Sequence, residues 1–448
     1  MPIDDILSAA LAPIKPSAEE ERQILCVARE VIATVDAAAR EMGLDVYAIH
    51  VGSTARGTWL RGKKDIDIFL MFPPDTPREK LEEDGLRLAR VVSPQFEERY
   101  AEHPYITAVY RGLEVDLVPC YHVEDAAHIQ SAVDRSPFHN RYVLAHIDDL
   151  CDQVRLLKQF TMGVGVYGSE LKTQGFSGYL CELLVIKYGS FTGVIEHGAG
   201  FRPGKVIDLE GHMDRSVEHT DPLVAIDPVD PKRNVAAALS EQKLCEFIDA
   251  CRNFLEAPSL RFFFPTPAEP LARESLDRLL KIRGTRLLAI TFKSPDIVED
   301  TLYPQLRKAE ASVAGLLERH EFKAYRGDVW SNGHCAIVLE MLVWELPGIE
   351  RHLGPPVHEP EHSEKFKKKY PGAYVIGCRY AVDLPRKYRT AEGLIRGQLL
   401  SCGLGKQVAV SIGEGFNVLA DGDTLELGPE FSSFLAGFLR VDGQQDLS

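Results

Sequence analysis

Three aspartates and a Gly-Ser turn carry the chemistry in this sequence. Asp65 and Asp67 stand two residues apart at the start of the apolar run Asp65-Ile66-Asp67-Ile68-Phe69-Leu70. Asp116 lies in a second such run, Leu113-Glu114-Val115-Asp116-Leu117-Val118. In a strand, residues two apart share a face. Asp65 and Asp67 therefore aim together while Ile66 and Ile68 turn the other way. Asp116 completes a cluster if its strand is a neighbour. Carboxylates gathered in this way repel one another unless a cation neutralises them. Oxygen-only ligation suits Mg²⁺, which sits between a few carboxylates and substrate phosphates. A pair of such ions can activate an attacking hydroxyl and stabilise a departing pyrophosphate.

The Gly-Ser element supplies a phosphate site beside them. Val46 to Val51 reads as a strand. Gly52 then permits a tight turn and close approach of a ligand. Ser53 and Thr54 read as a helix start, where backbone N–H groups and the serine hydroxyl can hold the outer phosphates of a nucleotide. Arg56 adds positive charge one turn along. A Gly-Ser pair alone is an ordinary turn, and an Asp-x-Asp pair alone is an ordinary solvated pair. Strand, Gly-Ser, helix, Asp-x-Asp and a later strand Asp together point to nucleotidyl transfer.

These groups need a scaffold, and the chain offers one. Residues 19 to 42 form a helical pattern stopped by Gly43. Pro73-Pro74 ends the first carboxylate strand, Glu79 to Val92 reads as a helix, and Ile106 to Val118 reads as a hairpin stopped by Pro119. This predicts a compact α/β head over residues 1–141. Leu144 to Met162, Gly178 to Phe191 and Asn234 to Phe254 read as helices, giving a mainly helical segment over 142–265. Pro258, Pro265, Pro267 and Pro270 crowd the boundary that follows. In the last third, 266–448, Thr285 to Phe292 and Cys335 to Trp344 read as strands and Tyr303 to His320 as a helix. A Pro- and Lys-rich stretch at about 346–409 interrupts this small mixed sheet.

Composition bounds the remainder. A chain of 448 residues holds roughly two to four domains. No apolar run approaches the ~20 residues of a membrane span, and the acidic start Met1-Pro2-Ile3-Asp4-Asp5 lacks a basic-then-apolar leader. The nine scattered cysteines contain no Cys-x-x-Cys pair, which predicts buried thiols in a reducing cytoplasm. His122, His128, His146, His197 and His212 show no metal-ligand spacing. A net charge of −15 gives no global attraction for nucleic acid, so RNA must be met by local basic surfaces. Arg379 to Lys406 and the run Lys365-Phe366-Lys367-Lys368-Lys369-Tyr370 are the candidates.

Longer motifs bring a family into view. Val51-Gly-Ser-Thr-Ala-Arg-Gly-Thr-Trp-Leu60 with Asp65-Ile-Asp67 resembles the archaeal-type, class I CCA-adding enzymes, the tRNA nucleotidyltransferases. So do Arg99-Tyr-Ala-Glu-His-Pro-Tyr105, Glu114 to Tyr121, Ser131 to His139, Val154 to Lys158, Gly175 to Leu184, Asp227 to Ala236 and Leu302 to Leu306. The likeness covers roughly 45–320 and is loose after 346.

The resemblance implies an α+β multidomain fold: a polymerase β-like nucleotidyltransferase head, a helical neck, and a ferredoxin-like body with a tail insertion that holds the tRNA elbow. It implies template-independent addition of C, C and A to the tRNA 3′ end from CTP and ATP. Asp65, Asp67 and Asp116 would hold the metals, Mg²⁺ by expectation. Ser53 and Arg56 would bind the triphosphate. His139, Lys158 and Tyr167 would complete the nucleotide pocket, Arg233 would reach the incoming base, and Glu102 and His103 would shape the primer end. Asp65 stands where some relatives carry Glu, a change of one methylene that leaves the ligand chemistry intact. Gln174 stands where an arginine can occur and receives no phosphate role. The alternative on the same head is a poly(A) polymerase-like or oligoadenylate synthase-like enzyme, which needs only ATP. A catalytically dead RNA-binding protein is opposed by the presence of all three aspartates. A small toxin or antitoxin module is opposed by the chain's length. Whether the protein is a monomer or a homodimer is left open by the sequence.

Overall fold

The computed structural model describes residues 2–63, 65–100, 103–266 and 269–439. They fall into two compact units, Met1–Thr266 and Pro267–Ser448.

In the first unit, α1 (Ile3–Ile14) is followed by α2 (Ala18–Glu41). Ser17 caps α2 by accepting the Glu20 N–H, and the Glu20 carboxylate accepts the Ser17 N–H in return. This reciprocal box satisfies two donors that a helix start would otherwise leave unpaired. Then come β1 (Tyr47–Val51), the single turn α3 (Gly52–Arg56), β2 (Ile66–Phe72), α4 (Arg78–Ala89), β3 (Phe96–Tyr100), β4 (Pro104–Tyr110) and β5 (Leu113–Tyr121). The five strands form one sheet in the order β1-β2-β5-β4-β3. β2 and β5 run parallel at its centre, and every other pair is antiparallel.

Strand alternation divides this sheet into two faces. Ile66, Ile68, Leu70, Val115 and Leu117 are buried on one face with the apolar stripes of α2 and α4. Each such side chain contributes roughly 1.5–3 kcal/mol of burial free energy. The other face is left to Asp67, Phe69 and Asp116. Pro119 does not stop β5 as the sequence predicts. The β4 ladder ends at the Ile106–Leu117 pair, so the missing N–H of Pro119 costs no bond on that side.

The remainder of the first unit is α5 (Ser136–His146), α6 (Cys151–Gly163), α7 (Gly178–Tyr188), α8 (Phe191–Gly198), β6 (Lys205–Ile207), β7 (Leu223–Asp227), β8 (Asp230–Asn234) and α9 (Glu241–Glu256). Its core is aromatic, with Phe160 in contact with Phe191, Phe247, Phe254 and Phe263. Three expectations change here. The helix read over Leu144–Met162 is two helices, broken where Asp148 takes a φ of 25°. The helix expected from Asn234 begins only at Glu241, capped by Ser240, because Asn234 closes a strand. Ile6 and Ala10 of α1, read from sequence as part of the head, pack into this helical core instead.

The second unit contains α10 (Arg273–Arg283), β9 (Arg286–Lys293), α11 (Glu299–Arg319), β10 (Lys323–Asn332) and β11 (His334–Val343). An excursion follows, made of β12 (Ile349–Pro356), α12 (Pro360–Lys369), β13 (Tyr374–Ile376) and β14 (Arg379–Pro385). The chain then returns through α13 (Ala391–Gln398), α14 (Lys406–Glu414), β15 (Phe416–Ala420) and α15 (Pro429–Leu439). The main sheet is antiparallel in the order β10-β11-β9-β15. With the excursion removed, the order of elements is βαββαβ, the ferredoxin-like arrangement. The excursion carries its own sheet, β12-β14-β13. It is shorter than the 346–409 tail read from sequence, because Ala391, Leu394, Leu399 and Val408 are buried in the main core.

Candidate active site

The centre of the site is a strand pairing. Asp67 and Asp116 are directly opposed across the parallel β2–β5 ladder, so their side chains leave the same face of neighbouring strands. Gly52 makes room for Asp67. It adopts a φ of +80°, and a Cβ there would lie 1.9 Å from Asp67 Oδ2. Thr107, the Asp116 partner on β4, donates its hydroxyl to Asp116 Oδ1 at 2.6 Å. Thr54 donates to the Asp65 carbonyl at 3.2 Å and meets His50 Nε2 at 3.0 Å, which ties α3 to the approach of β2. Burial holds His50 down at about 4, so this ring is neutral near pH 7.

Electrostatics set these carboxylates apart. Burial pushes Asp67 up to about 7, and the charges of Asp116 and Asp65 push the same way against Arg56. Burial raises Asp116 as well, opposed by the Thr107 hydroxyl and by Arg99. A facing pair that the protein leaves undercompensated, with oxygen donors only, fits a hard divalent cation. Asp65 precedes β2 with an exposed side chain. Among the described residues, no three His, Cys, Asp or Glu side chains are arranged as a closed metal-ligand set. The fold thus brings together Asp67 and Asp116, and Asp65 stands beside them at the rim.

A cavity of about 230 Å³ opens against Asp67. Gly52, Arg56, Asp67, Ser136, His139 and Tyr179 line it. Ser53 is half-buried in α3, where its carbonyl accepts the N–H groups of Gly57 and Thr58. Arg56 is anchored from behind, giving its Nε proton to Glu182 at 3.1 Å and reaching Asn140 Oδ1 at 3.5 Å. Lys158 is buried. Its ammonium donates to the Thr58 carbonyl at 3.1 Å and stands 3.7 Å from Glu182. Thr58 also donates its hydroxyl to Glu182. Burial alone would raise the Glu182 pKa, but Arg56, Lys158 and Thr58 outweigh it and hold the carboxylate below its ordinary value. Tyr167 is half-buried, and the Lys63 ammonium lies 5.7 Å from its ring centre. Burial pushes its phenol pKa up.

On the other wall, His139 stacks on Tyr179 with ring centres 4.2 Å apart. Its Nε2 bonds Asp227 Oδ2 at 2.8 Å, and Arg233 Nη1 bonds the same oxygen at 2.7 Å. Arg233 lies on β8, within a hairpin and not at the helix start the sequence suggests. His103 is buried, with no hydrogen-bond partner for either ring nitrogen among the described residues, and burial lowers its pKa. Glu102 lies outside the described residues.

Sequence reasoning passed over Glu182, Asp227, Tyr179 and Thr107. Three of them stand inside motifs quoted for the resemblance, yet an acidic side chain behind a basic one has no spacing rule. Only the fold brings Glu182 to Arg56, which lies 126 positions earlier.

The comparisons follow the same division of the chain. Residues 33–139 match the family described as nucleotidyltransferase domain. Residues 152–264 match tRNA nucleotidyltransferase, second domain, and 283–421 match CCA-adding enzyme, C-terminal domain. A CCA-adding enzyme of Methanosarcina acetivorans is 49% identical over 96% of this chain and 97% of its own length. Those of Methanosarcina barkeri and Methanosarcina mazei are 48% and 46% identical, over 93% and 96% of this chain and 94% and 97% of their own lengths. A solved structure of CdnC from E. coli MS115-1 with ATP overlaps 58% of this chain and 94% of its own at 20% identity, with a TM-score of 0.46, too distant to add weight. Matched from the first sheet to the C-terminal sheet, this chain belongs to the archaeal-type CCA-adding enzymes, the tRNA nucleotidyltransferases.

Proposed function

We propose that this protein builds and repairs the 3′-terminal CCA of tRNA from CTP and ATP, without a nucleic-acid template, releasing pyrophosphate. The observation that carries the reading is the Asp67–Asp116 pairing beside the Gly52 turn, with Asp67 opening on a cavity that Arg56 and His139 also line. Asp67 and Asp116, joined by Asp65, would hold divalent cations, for which we propose Mg²⁺; when bound, they lower the pKa of the attacking 3′-hydroxyl and neutralise the pyrophosphate that leaves.

The chain's own groups do the rest. Ser53 and Arg56 hold the triphosphate, with Arg56 pre-oriented by Glu182 so that little side-chain freedom is lost on binding. Lys158 adds positive potential from beneath, and Tyr167 closes the pocket. His139 and Arg233 address the nucleoside. A guanidinium offers donors in a fixed plane. Cytosine and adenine present ring-nitrogen acceptors to it, whereas uracil and guanine present an N–H. The wrong base then leaves a donor facing a donor, which a desolvated site rejects strongly.

The acceptor end of the tRNA enters this site, and we assign its elbow to the excursion Ile349–Pro385. Lys367 lies 5.4 Å from the Tyr380 ring centre and Lys369 lies 5.1 Å from that of Tyr370, a cationic and aromatic surface suited to phosphates. We place the enzyme in the cytoplasm. Nine unpaired cysteines support that, although Cys26, Cys245 and Cys378 are exposed and not buried as expected. No described helix is long and apolar enough to cross a membrane.

The test is direct. A tRNA lacking CCA is incubated with pure protein, CTP, ATP and Mg²⁺, and its ends are sequenced. Addition of CCA is the expected result. Runs of A from ATP alone would replace this reading with a poly(A) polymerase-like one. Sedimentation of the same preparation distinguishes a monomer from a homodimer.

A further inference from the structure

We propose that Asp227 is a positioning residue that locks Arg233 and His139 into one rigid unit and so sets the preference for cytosine and adenine. The inference rests on the base-selecting role proposed above for Arg233.

Asp227 ends β7 and is wholly buried. It does not line the cavity, so it acts through its neighbours. Both carboxylate oxygens are saturated. Oδ2 accepts His139 Nε2 at 2.8 Å and Arg233 Nη1 at 2.7 Å. Oδ1 accepts the Val229 N–H at 3.1 Å and the Tyr179 hydroxyl at 3.3 Å. Burial alone would push this carboxyl's pKa up. The His139 bond and the Arg233 charge outweigh it and hold it below the ordinary range, so it stays ionised.

The backbone explains how Arg233 reaches it. Ile226 pairs with Asn234 but Asp227 pairs with Asp230, so the β7–β8 register breaks and Pro231, Lys232 and Arg233 bow out of the ladder. Bulges of this kind re-aim a side chain. The bowed segment is held at a second point, where Asp230 Oδ2 accepts Arg135 Nε at 3.0 Å. Arg135 immediately precedes α5, the helix that carries His139. Two acidic residues of one hairpin thus grip two basic residues around one helix start.

With one Nη1 bond spent on Asp227, the remaining guanidinium donors of Arg233 lie in a plane fixed by the protein before any nucleotide arrives. Without that bond, the half-exposed side chain can swing among rotamers and bond any base or phosphate within reach. The lock therefore acts on discrimination more than on phosphoryl transfer.

Asn is the sharp replacement. Every group facing the Asp227 oxygens is a donor, and the Val229 N–H cannot rotate away. An amide nitrogen at either position would meet a donor, which releases His139 and Arg233 or strains the hairpin. Asp227→Glu keeps the charge but displaces it by one methylene.

The experiment is steady-state addition to a tRNA ending at its discriminator base, with each of the four nucleotides. The wild type is compared with Asp227→Asn, Asp227→Glu, Arg233→Ala and Asp227→Asn/Arg233→Ala, with melting temperatures recorded for all. Asp227→Asn should narrow the ratio of kcat/KM for CTP over UTP by about ten- to a hundredfold, the range expected when a charged hydrogen bond is lost. The double variant should narrow it no further than Arg233→Ala alone. If Asp227→Asn proves too unstable to assay, Asp227→Glu supplies the readout, and it should also narrow the ratio. A narrowed ratio in Arg233→Ala beside an unchanged one in folded Asp227→Asn or Asp227→Glu would overturn this inference alone. An unchanged ratio in Arg233→Ala would overturn the base-selecting role of Arg233 and this inference with it.

Discussion

Interior strands in two sheets of this protein carry carboxylates, and the protein treats them in opposite ways. Glu340 lies on β11, a central strand of the second unit, with no exposed surface. It accepts Arg283 Nε at 2.6 Å and Nη2 at 2.9 Å, Thr285 Oγ1 at 2.7 Å and Arg326 Nε at 2.7 Å. Burial would raise its pKa, but these donors outweigh it and hold it low. Asp67 and Asp116 face each other on β2 and β5 with few donors and raised pKa values. Burial is common to both places, so burial is not what marks function. What differs is the compensation. Glu340 fastens α10, β10 and β11 together, while the described residues give the aspartate pair little compensation, as the proposed cation site requires.

The comparison predicts that removing the aspartate pair costs activity and spares the fold. Asp116→Ala should lower kcat by about three decades or more, since a metal clamp supplies several kcal/mol of transition-state stabilisation. The melting temperature of the metal-free protein should hold or rise, because like-charge repulsion is relieved. A folded Asp116→Ala enzyme with near-normal turnover would remove this pair from catalysis.

Glu340→Ala should do the reverse. It leaves Arg283 and Arg326 without their shared partner beside a buried strand, a loss of about 3 kcal/mol in unfolding free energy. Addition to a short acceptor-stem substrate should stay near the wild-type rate while urea unfolding shifts to lower concentration. Unchanged unfolding would mean that the Glu340 network is decoration.

The two places also differ in how far they were legible in the sequence. Asp67 and Asp116 were readable because strand alternation fixes a face and an aspartate in an apolar run is conspicuous. The Gly52 turn was readable for the same reason. The βαββαβ body was anticipated only through the resemblance, and β10 was not foreseen, because Lys323 to Asn332 is polar on an edge strand with one face to solvent. The tail reads too long in the sequence because a Lys- and Arg-rich stretch looks continuous, although α13 and α14 bury Leu394 and Val408. Glu182, Asp227 and Glu340 were unreadable in principle. Their partners lie far along the chain or across a register break, and nothing local distinguishes a carboxylate that will be paired from one that will not.

Proton linkage sharpens the contrast at smaller scale. Asp67 titrates at about 7 in the fold and near 4 in the unfolded chain. The proton therefore favours the metal-free fold. That contribution is complete below about pH 4 and is lost as pH rises through about 7. Relative to Asp67→Asn, the metal-free wild type should lose on the order of 2 kcal/mol between about pH 5 and pH 8. Mg²⁺ should restore more stability at the higher pH, because binding must displace a proton at the lower one. Glu340 has the opposite sign. Its folded pKa is lowered, so its contribution is present above the unfolded value and falls away as pH drops through the folded one. Thermal melts of both proteins with EDTA and with Mg²⁺ read the first effect. Parallel pH curves for wild type and Asp67→Asn would refute it.

The smallest expected effect comes from the one hydrogen-bond donor that the described side chains give the aspartate pair. Thr107 is buried on β4, opposite Asp116, and its hydroxyl is 2.6 Å from Asp116 Oδ1. That bond helps to keep Asp116 ionised and fixes the direction of its free oxygen, the work of an outer partner on a metal ligand. Thr107→Val preserves shape and strand preference but removes the proton. Asp116 should then titrate higher and bind metal less well, at a cost of about 1 kcal/mol. The Mg²⁺ concentration for half-maximal activity should rise by about three- to tenfold, more at acidic pH than at alkaline pH. The kcat at saturating Mg²⁺ should stay within about twofold of wild type, and the melting temperature of the metal-free protein should fall slightly at neutral pH, because a partly buried carboxylate has lost a donor. A Thr107→Val enzyme with an unchanged Mg²⁺ requirement would mean that the single bond does nothing for the ligand. The contrast with Glu340 would then be one of paired against wholly unpaired carboxylates, with no graded compensation between them.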